Sequence, residues 1–308
     1  MISTDHSMKK DASLLKTGVF TVLALIAFAA NSVLCRLALD GNTIDAASFT
    51  VMRLASGIVM LMLILTFMPK RPHISSHADK ATRGSWISAW MLFLYAITFS
   101  FAYVSLDTAT GALVLFGAVQ ITMIFAHVMA GNRLHIFEWS GLLLAFTGFV
   151  CLMLPDVTTP SFSGFVLMTL AGIAWGIYTL RGKKTLFPLP DTAFNFLRTT
   201  PFVIALVLMA LPSIQLSSEG IMLAIMSGAL ASGIGYTLWY IALGGLSATV
   251  AAVVQLLVPI IAAIGGIIFV FETITQRLIL SGMMILGGVL IITLGQRYLL
   301  PAHTKVKP

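Results

Sequence analysis

Ten apolar runs, each about as long as a bilayer crossing, dominate this chain. They fall at 17–36, 45–68, 86–105, 108–130, 135–154, 162–181, 192–211, 219–243, 247–271 and 277–297. A spanning helix needs about 20 such residues. Lipid satisfies no open backbone, so only helices or a closed barrel cross it. The runs lack the two-residue alternation of a membrane barrel. The expected fold is therefore an all-α membrane protein of ten transmembrane helices. Ten helices and their turns use nearly all 308 residues, which leaves no soluble domain. Composition agrees. Charged residues make up 9% of the chain and the mean hydropathy is +1.00, whereas a soluble domain is about 25% charged. A soluble enzyme, a nucleic-acid module and a disordered chain are excluded. The lipid bilayer is a partner and nucleic acid is not.

The connections are short, so neighbouring helices form antiparallel hairpins; the longest, 69–85, is basic and polar. Lys and Arg set the orientation. With the N-terminus in the cytoplasm, the inside holds Lys9, Lys10, Lys16, Lys70, Arg71, Lys80, Arg83, Arg133, Arg181, Lys183, Lys184, Arg297, Lys305 and Lys307. The outside holds only Arg36 and Arg277. This split predicts an inner-membrane protein with both tails, 1–16 and 298–308, in the cytoplasm. The first run ends in Ala27-Phe28-Ala29, which resembles a signal-peptide cleavage site. The repeat described next needs that helix in the mature protein. Cys35 and Cys151 fall near the same end of their helices, but two cysteines make no disulfide framework.

The chain repeats itself after about 140 residues. Phe28 to Asn31, followed by Arg36, lies against Trp175 to Tyr178, followed by Lys183. Asp45 and Arg53 lie against Asp191 and Arg198, Tyr103 to Leu106 against Tyr240 to Leu243, and Ser140-Gly141 against Ser281-Gly282. The two five-helix repeats are 17–154 and 162–297. Five is odd, so the second enters the membrane from the opposite side. Inverted repeats of this kind are the signature of many secondary transporters.

The same residues resemble the EamA-type drug/metabolite transporter superfamily. The second half carries the pattern as Trp175-Gly176, Arg198, Pro259, Glu272 and Gly282. The first half keeps Arg53 and Gly141, with Phe28-Ala29, Thr122 and Asn132 at the other positions. The resemblance implies export or exchange of small metabolites. It also implies a central cavity lined mainly by helices 1, 3, 4, 6, 8 and 9.

No catalytic, cofactor or metal-binding constellation is present, so the chain is not expected to be an enzyme. All eleven acidic residues fall in tails, turns or helix ends, with Glu138 nearest a helix interior. Proton coupling through a buried carboxylate is therefore not expected. His127 is the titratable group best placed within a span, where packing or an interfacial place accounts for it more readily than a proton relay. Arg53 and Arg198 lie seven or eight positions into their helices. Each either snorkels to the interface or serves as a gate or anionic anchor.

The cavity candidates are polar and aromatic. Gln120 and Gln255 lie deep in helices 4 and 9, near Thr108, Thr110, Thr122, Ser247 and Thr249, and Asn31 lies in helix 1. Tyr95, Phe99 and Tyr103 share a face of helix 3. Trp175 and Tyr178 share a face of helix 6, and Tyr236, Trp239 and Tyr240 cluster in helix 8. These rings could stack a flat substrate or simply fill the core. Pro259 removes a backbone hydrogen bond and can hinge helix 9. Asp45 and Asp191 are expected to cap their helices.

The reading is a secondary transporter that moves a small organic metabolite by alternating access; the resemblance implies that the solute is an amino acid or related compound and that it moves out of the cell. The alternatives are a nucleotide-sugar or sugar-phosphate exchanger, and a membrane scaffold without transport. A homodimer is left open.

Overall fold

A computed structural model describes residues 2–67, 84–131, 136–154, 160–182, 185, 187–246 and 248–298. Among them are ten helices long and apolar enough to cross a membrane. α1 is Ile2–Asp40, with its apolar part at Leu15–Asp40; α2 is Ala46–Phe67, α3 Trp86–Tyr103, α4 Thr108–Met129 and α5 Ile136–Met153. α6 is Phe162–Gly182 and α7 spans Pro188–Ser213. α8 spans Ser218–Leu243, α9 contains Val253–Val270 and begins with the segment Ala248–Gln255, and α10 is Gln276–Tyr298. Three boundaries differ most from expectation. α1 starts within the expected 1–16 tail and ends at Asp40, so Arg36 lies inside the helix. α7 starts at Pro188, where proline pre-sets the first helical turn.

The helices form two inverted five-helix repeats, and their packing shows it. α3 packs on α6 as α8 packs on α1, and α4 packs on α6 as α9 packs on α1. α4 meets α9 and α5 meets α10 across the axis that relates the halves. The α5–α10 seam is close because Gly141 and Gly288 face each other; a methyl group on either would meet the other's carbonyl oxygen.

The halves differ in their helices. α2 and α4 are continuous, whereas their counterparts are broken. α7 breaks at Arg198-Thr199, where Pro201 cannot donate to the Leu197 carbonyl; Thr200 Oγ1 donates there instead, at 2.6 Å. α9 breaks between Ala248–Gln255 and Leu257–Gly265, because Pro259 cannot donate to the Gln255 carbonyl. α8 is π-helical over Met226–Ile234. Sequence numbering explains this. The capping residues Ser85 and Ser217 are 132 apart, whereas Tyr103 and Tyr240 are 137 apart, so α8 holds five extra residues. Wide π turns absorb such insertions, frequently at functional sites.

The loop aspartates preserve the symmetry. Asp45 accepts from the Ser48 N–H and the Gln215 N–H, each at 2.9 Å, the latter just ahead of α8. Asp191 accepts from the Gly84 backbone, just ahead of α3. Asp45 therefore caps α2 as expected, whereas Asp191 lies in the first turn of α7. Partial burial opposes ionisation of Asp45, but the hydrogen bonds from Gln215 and Ser48 outweigh it and hold the carboxyl below its ordinary value of 3.8. A lowered pKa stabilises the fold above the ordinary value and loses that effect as pH falls below it. Asp45→Asn should lower the thermal midpoint at pH 7, and the gap to wild type should narrow at pH 3.

Much of the charge used to orient the chain lies outside the described residues: Lys70, Arg71, Lys80, Arg83, Arg133, Lys183, Lys184, Lys305 and Lys307. So do Asn132 and Ser247, and the side chains of Lys9, Lys10, Thr249 and Arg297. Cys35 and Cys151 are free thiols, and Cys35 is buried.

Candidate functional site

A small cavity lies inside the bundle. It is bordered by Phe28, Asn31 and Ser32 of α1, Tyr95 and Phe99 of α3, and Leu115 and Phe116 of α4. Trp175 of α6, Ala231, Ser232 and Tyr236 of α8, and Gln255 of α9 complete it. These are the six helices that the resemblance implies. The free space is about 20 Å³, enough for about one water.

Aromatic rings fill most of that space. Trp175 stacks on Tyr178 and on Tyr236, with ring centroids 5.3 and 5.2 Å apart, and Tyr95 lies 4.9 Å from it. Phe28 packs against Tyr236 and Trp239. Polar groups join at one edge. Tyr95 Oη accepts from Arg53 Nη2 at 2.9 Å and from Asn31 Nδ2 at 3.3 Å, and Ser227 Oγ donates to Asn31 Oδ1 at 2.6 Å. Ser227 belongs to the π-helical part of α8.

Arg53 does not snorkel. It lies seven residues into α2, roughly 10 Å from the helix end at 1.5 Å per residue, and is 2% exposed. Its guanidinium lies over the rings of Phe99 and Tyr95, at 4.7 and 5.1 Å. Nη1 has no hydrogen-bond partner among the described residues. Among the described residues no carboxylate lies within ion-pair distance of Arg53. Cation–π contacts offset part of the desolvation, but a buried charge without a counter-ion still costs several kcal/mol.

Arg198 is different, so the inverted symmetry does not extend to the two arginines. It lies at the break in α7, donates to the Gly84 carbonyl at 2.8 Å and covers the Trp86 ring. It fastens the start of α3 rather than entering the cavity.

Each end of the bundle is latched. At the end where α1 finishes, Glu272 accepts from the Thr108 N–H at 2.8 and 3.0 Å and from Thr108 Oγ1 at 2.9 Å, capping α4. A carboxylate at a helix N-terminus also meets the positive end of its dipole. Arg36 Nε lies 3.4 Å from Glu272, and Arg36 also pairs with Asp40 at 2.7 Å and donates to the Tyr103 carbonyl at 3.1 Å. This network ties α1, α3, α4 and the α9–α10 turn together. Phe271, at φ 59°, adopts the left-handed conformation that turns the chain back so that Glu272 reaches α4. L-residues resist that conformation by roughly 1–2 kcal/mol. Gly266 leaves room for the carboxylate to pass.

At the opposite end, Thr192 Oγ1 lies 2.9 Å from Tyr240 Oη and accepts from Tyr178 Oη at 3.4 Å, which joins α6, α7 and α8. Asn195 Oδ1 accepts from the Ser85 N–H at 2.8 Å, and Arg181 donates to Ser88 Oγ at 3.2 Å. Both latches are closed around a collapsed cavity.

Residues 162–294 match the EamA-like transporter family. An uncharacterized protein of Pseudomonas aeruginosa is 45% identical over 277 residues, covering 90% of this chain and 94% of that protein. This chain belongs to the EamA-like transporter family. An uncharacterized transporter of Archaeoglobus fulgidus is 26% identical over 70% of this chain and 79% of that protein. The uncharacterized transporter YoaV of Bacillus subtilis is 21% identical over 78% of this chain and 85% of its own. A solved crystal structure, 17% identical, superposes with a TM-score of 0.61 and covers 91% of this chain and 99% of that one, which shows a shared fold. The EamA-type protein described here is thus an integral membrane transporter.

Within this EamA-type bundle the sequence candidates divide by place. Asn31, Tyr95, Phe99, Trp175, Tyr236 and Gln255 border the cavity. Tyr178 and Tyr240 meet at Thr192, and Trp239 backs Phe28. Tyr103 is fully buried at the Glu272 end, donating to the Thr108 carbonyl at 3.3 Å. Gln120 is 4% exposed, and its Nε2 has no hydrogen-bond partner among the described residues. Thr108 belongs to a latch, Thr122 Oγ1 bonds back to its own helix at Ala118, and His127 lies in the last turn of α4. Sequence reasoning passed over Phe28, Ser32, Ser227 and the Arg36–Glu272 pair as site residues. The repeat held the signal for Phe28, which occupies the position of Trp175.

Proposed function

We propose that this protein is a secondary transporter that exports a small organic metabolite, an amino acid or a related compound, by alternating access. The observation that carries this is the small cavity between inverted halves, with a separate latch at each end of the bundle. Reciprocal release of the two latches would expose the cavity to each side in turn. Breaks in α7 and α9 and the π segment of α8 place the deformable helices in the second half. The sugar-phosphate alternative loses support, because among the described residues no Lys or Arg borders the cavity; Arg53 alone of the two candidates touches residues of its wall, Tyr95 and Phe99, and a dianion calls for more.

The charge asymmetry further supports an inner-membrane location with both termini in the cytoplasm and the Glu272 latch outside. In a background lacking Cys35 and Cys151, Ser218→Cys should react with an impermeant thiol reagent added to intact cells, while Ala130→Cys should not. The reverse labelling would overturn the orientation. The functional test is counterflow in proteoliposomes across a panel of amino acids and related metabolites. Accumulation of labelled solute driven by unlabelled solute inside is expected. No counterflow across the panel would contradict transport of this class.

A further inference from the structure

We infer that the central site binds a carboxylate, anchored by the Arg53 guanidinium, on a substrate whose apolar body lies among Trp175, Tyr236 and Phe28. This rests on the transport reading above and narrows its substrate class.

Arg53 is a buried cation without a counter-ion among the described residues. One of its terminal nitrogens, Nη2, reaches Tyr95 Oη at 2.9 Å, while Nη1 has no hydrogen-bond partner among the described residues. A planar guanidinium presents a fork that matches a carboxylate with two parallel hydrogen bonds. Tyr95 Oη, which borders the cavity, already accepts from Arg53 and from Asn31. In the closed site this phenol oxygen therefore holds the place of a ligand acceptor. An arriving carboxylate can take the Arg53 fork and the Asn31 amide by displacing Tyr95. That displacement would also move the Tyr95 ring away from Trp175 and enlarge the cavity.

The rest of the wall sets the body of the ligand. Phe28, Phe99, Leu115, Phe116, Trp175 and Tyr236 are apolar or aromatic. Among the described residues no acidic side chain borders the cavity, so the site offers no carboxylate to an ammonium group. The requirement is thus for the acid, and an α-amino group is dispensable.

The test uses full-length protein in nanodiscs and four acid–carboxamide pairs: 3-phenylpropanoate, 4-methylpentanoate, L-phenylalanine and L-leucine, each with its amide. Binding is read as ligand-induced shift of the thermal midpoint and as quenching of tryptophan fluorescence. At least one acid should bind ten-fold or more tightly than its amide. Arg53→Gln and Arg53→Lys should remove that preference by weakening the acid and leaving the amide unchanged, since neither replacement presents the fork. Equal binding of acid and amide in every pair, or no binding by any acid, overturns the proposal. Equal weakening of acid and amide in both variants also overturns it, because it reduces Arg53 to a structural role. Acid-selective binding without counterflow of that acid would leave this site standing and contradict transport.

Discussion

Gly228→Val is expected to prevent stable folding. Gly228 lies in the π-helical part of α8, where a methyl group would overlap the Arg53 carbonyl oxygen and Ser56 Oγ. Backbone cannot yield as a flexible side chain does. Overpacking a tight contact costs roughly 1–3 kcal/mol and occasionally more. Here α2 would have to move away, taking Arg53 and its bond to Tyr95 with it. The loss should reach about 3 kcal/mol, seen as a monodisperse peak that vanishes on size-exclusion chromatography or a thermal midpoint too low to measure. Gly287→Val is the control, since no described atom lies within 4 Å of a methyl group there. It should retain the wild-type profile. Equal tolerance of both substitutions would contradict the close α2–α8 approach.

Glu272→Gln is expected to release the latch at its end of the bundle. The substitution keeps size and removes charge, so it weakens the bonds to Thr108 and the pairing with Arg36. Both partners are largely buried, at 10% and 13% side-chain exposure. Hydrogen bonds to charged groups contribute about 1.5–3 kcal/mol, and each 1.4 kcal/mol is about ten-fold in an equilibrium. The open state should therefore gain roughly 10- to 100-fold in population. A single cysteine replacing Ser32, on the cavity wall, should react correspondingly faster with an impermeant thiol reagent added from the Glu272 side. Counterflow should fall, because a carrier that rests open to one side returns slowly. An unchanged thiol rate would show that the Glu272 network only stabilises the fold.

The ten crossings were legible because lipid demands length, apolarity and helix together, and all three are written locally in the chain. Inverted pairing was legible because Asp45 and Asp191 recur in register and occupy corresponding positions. Pro259 marked the break in α9, since a missing N–H is a local property. The break in α7 has the same cause in Pro201, which the continuous apolar run concealed. The depth of Arg53 was not legible. Its distance along α2 fits both a side chain reaching the interface and one folded over Tyr95 and Phe99, and only tertiary packing decides. Glu272 read as an ordinary turn acid for a similar reason. Its partners Arg36 and Thr108 are remote in sequence, and its aim depends on the left-handed conformation of Phe271.

Alternating access rests on the two latches opening in opposition, and distances between spin labels at the two ends test it most directly. Labels at Val104 and Thr273 report the Glu272 end, and labels at Ile87 and Gly244 report the opposite end; all four positions are exposed. The pairs are introduced into protein lacking Cys35 and Cys151 and measured in nanodiscs by double electron–electron resonance. Both distances should be short in the otherwise unaltered protein. Glu272→Gln should lengthen Val104–Thr273 and leave Ile87–Gly244 short, while Thr192→Val, which removes the hydroxyl joining Tyr178 to Tyr240, should do the reverse. Lengthening of both pairs together in either variant would describe a channel and contradict the account.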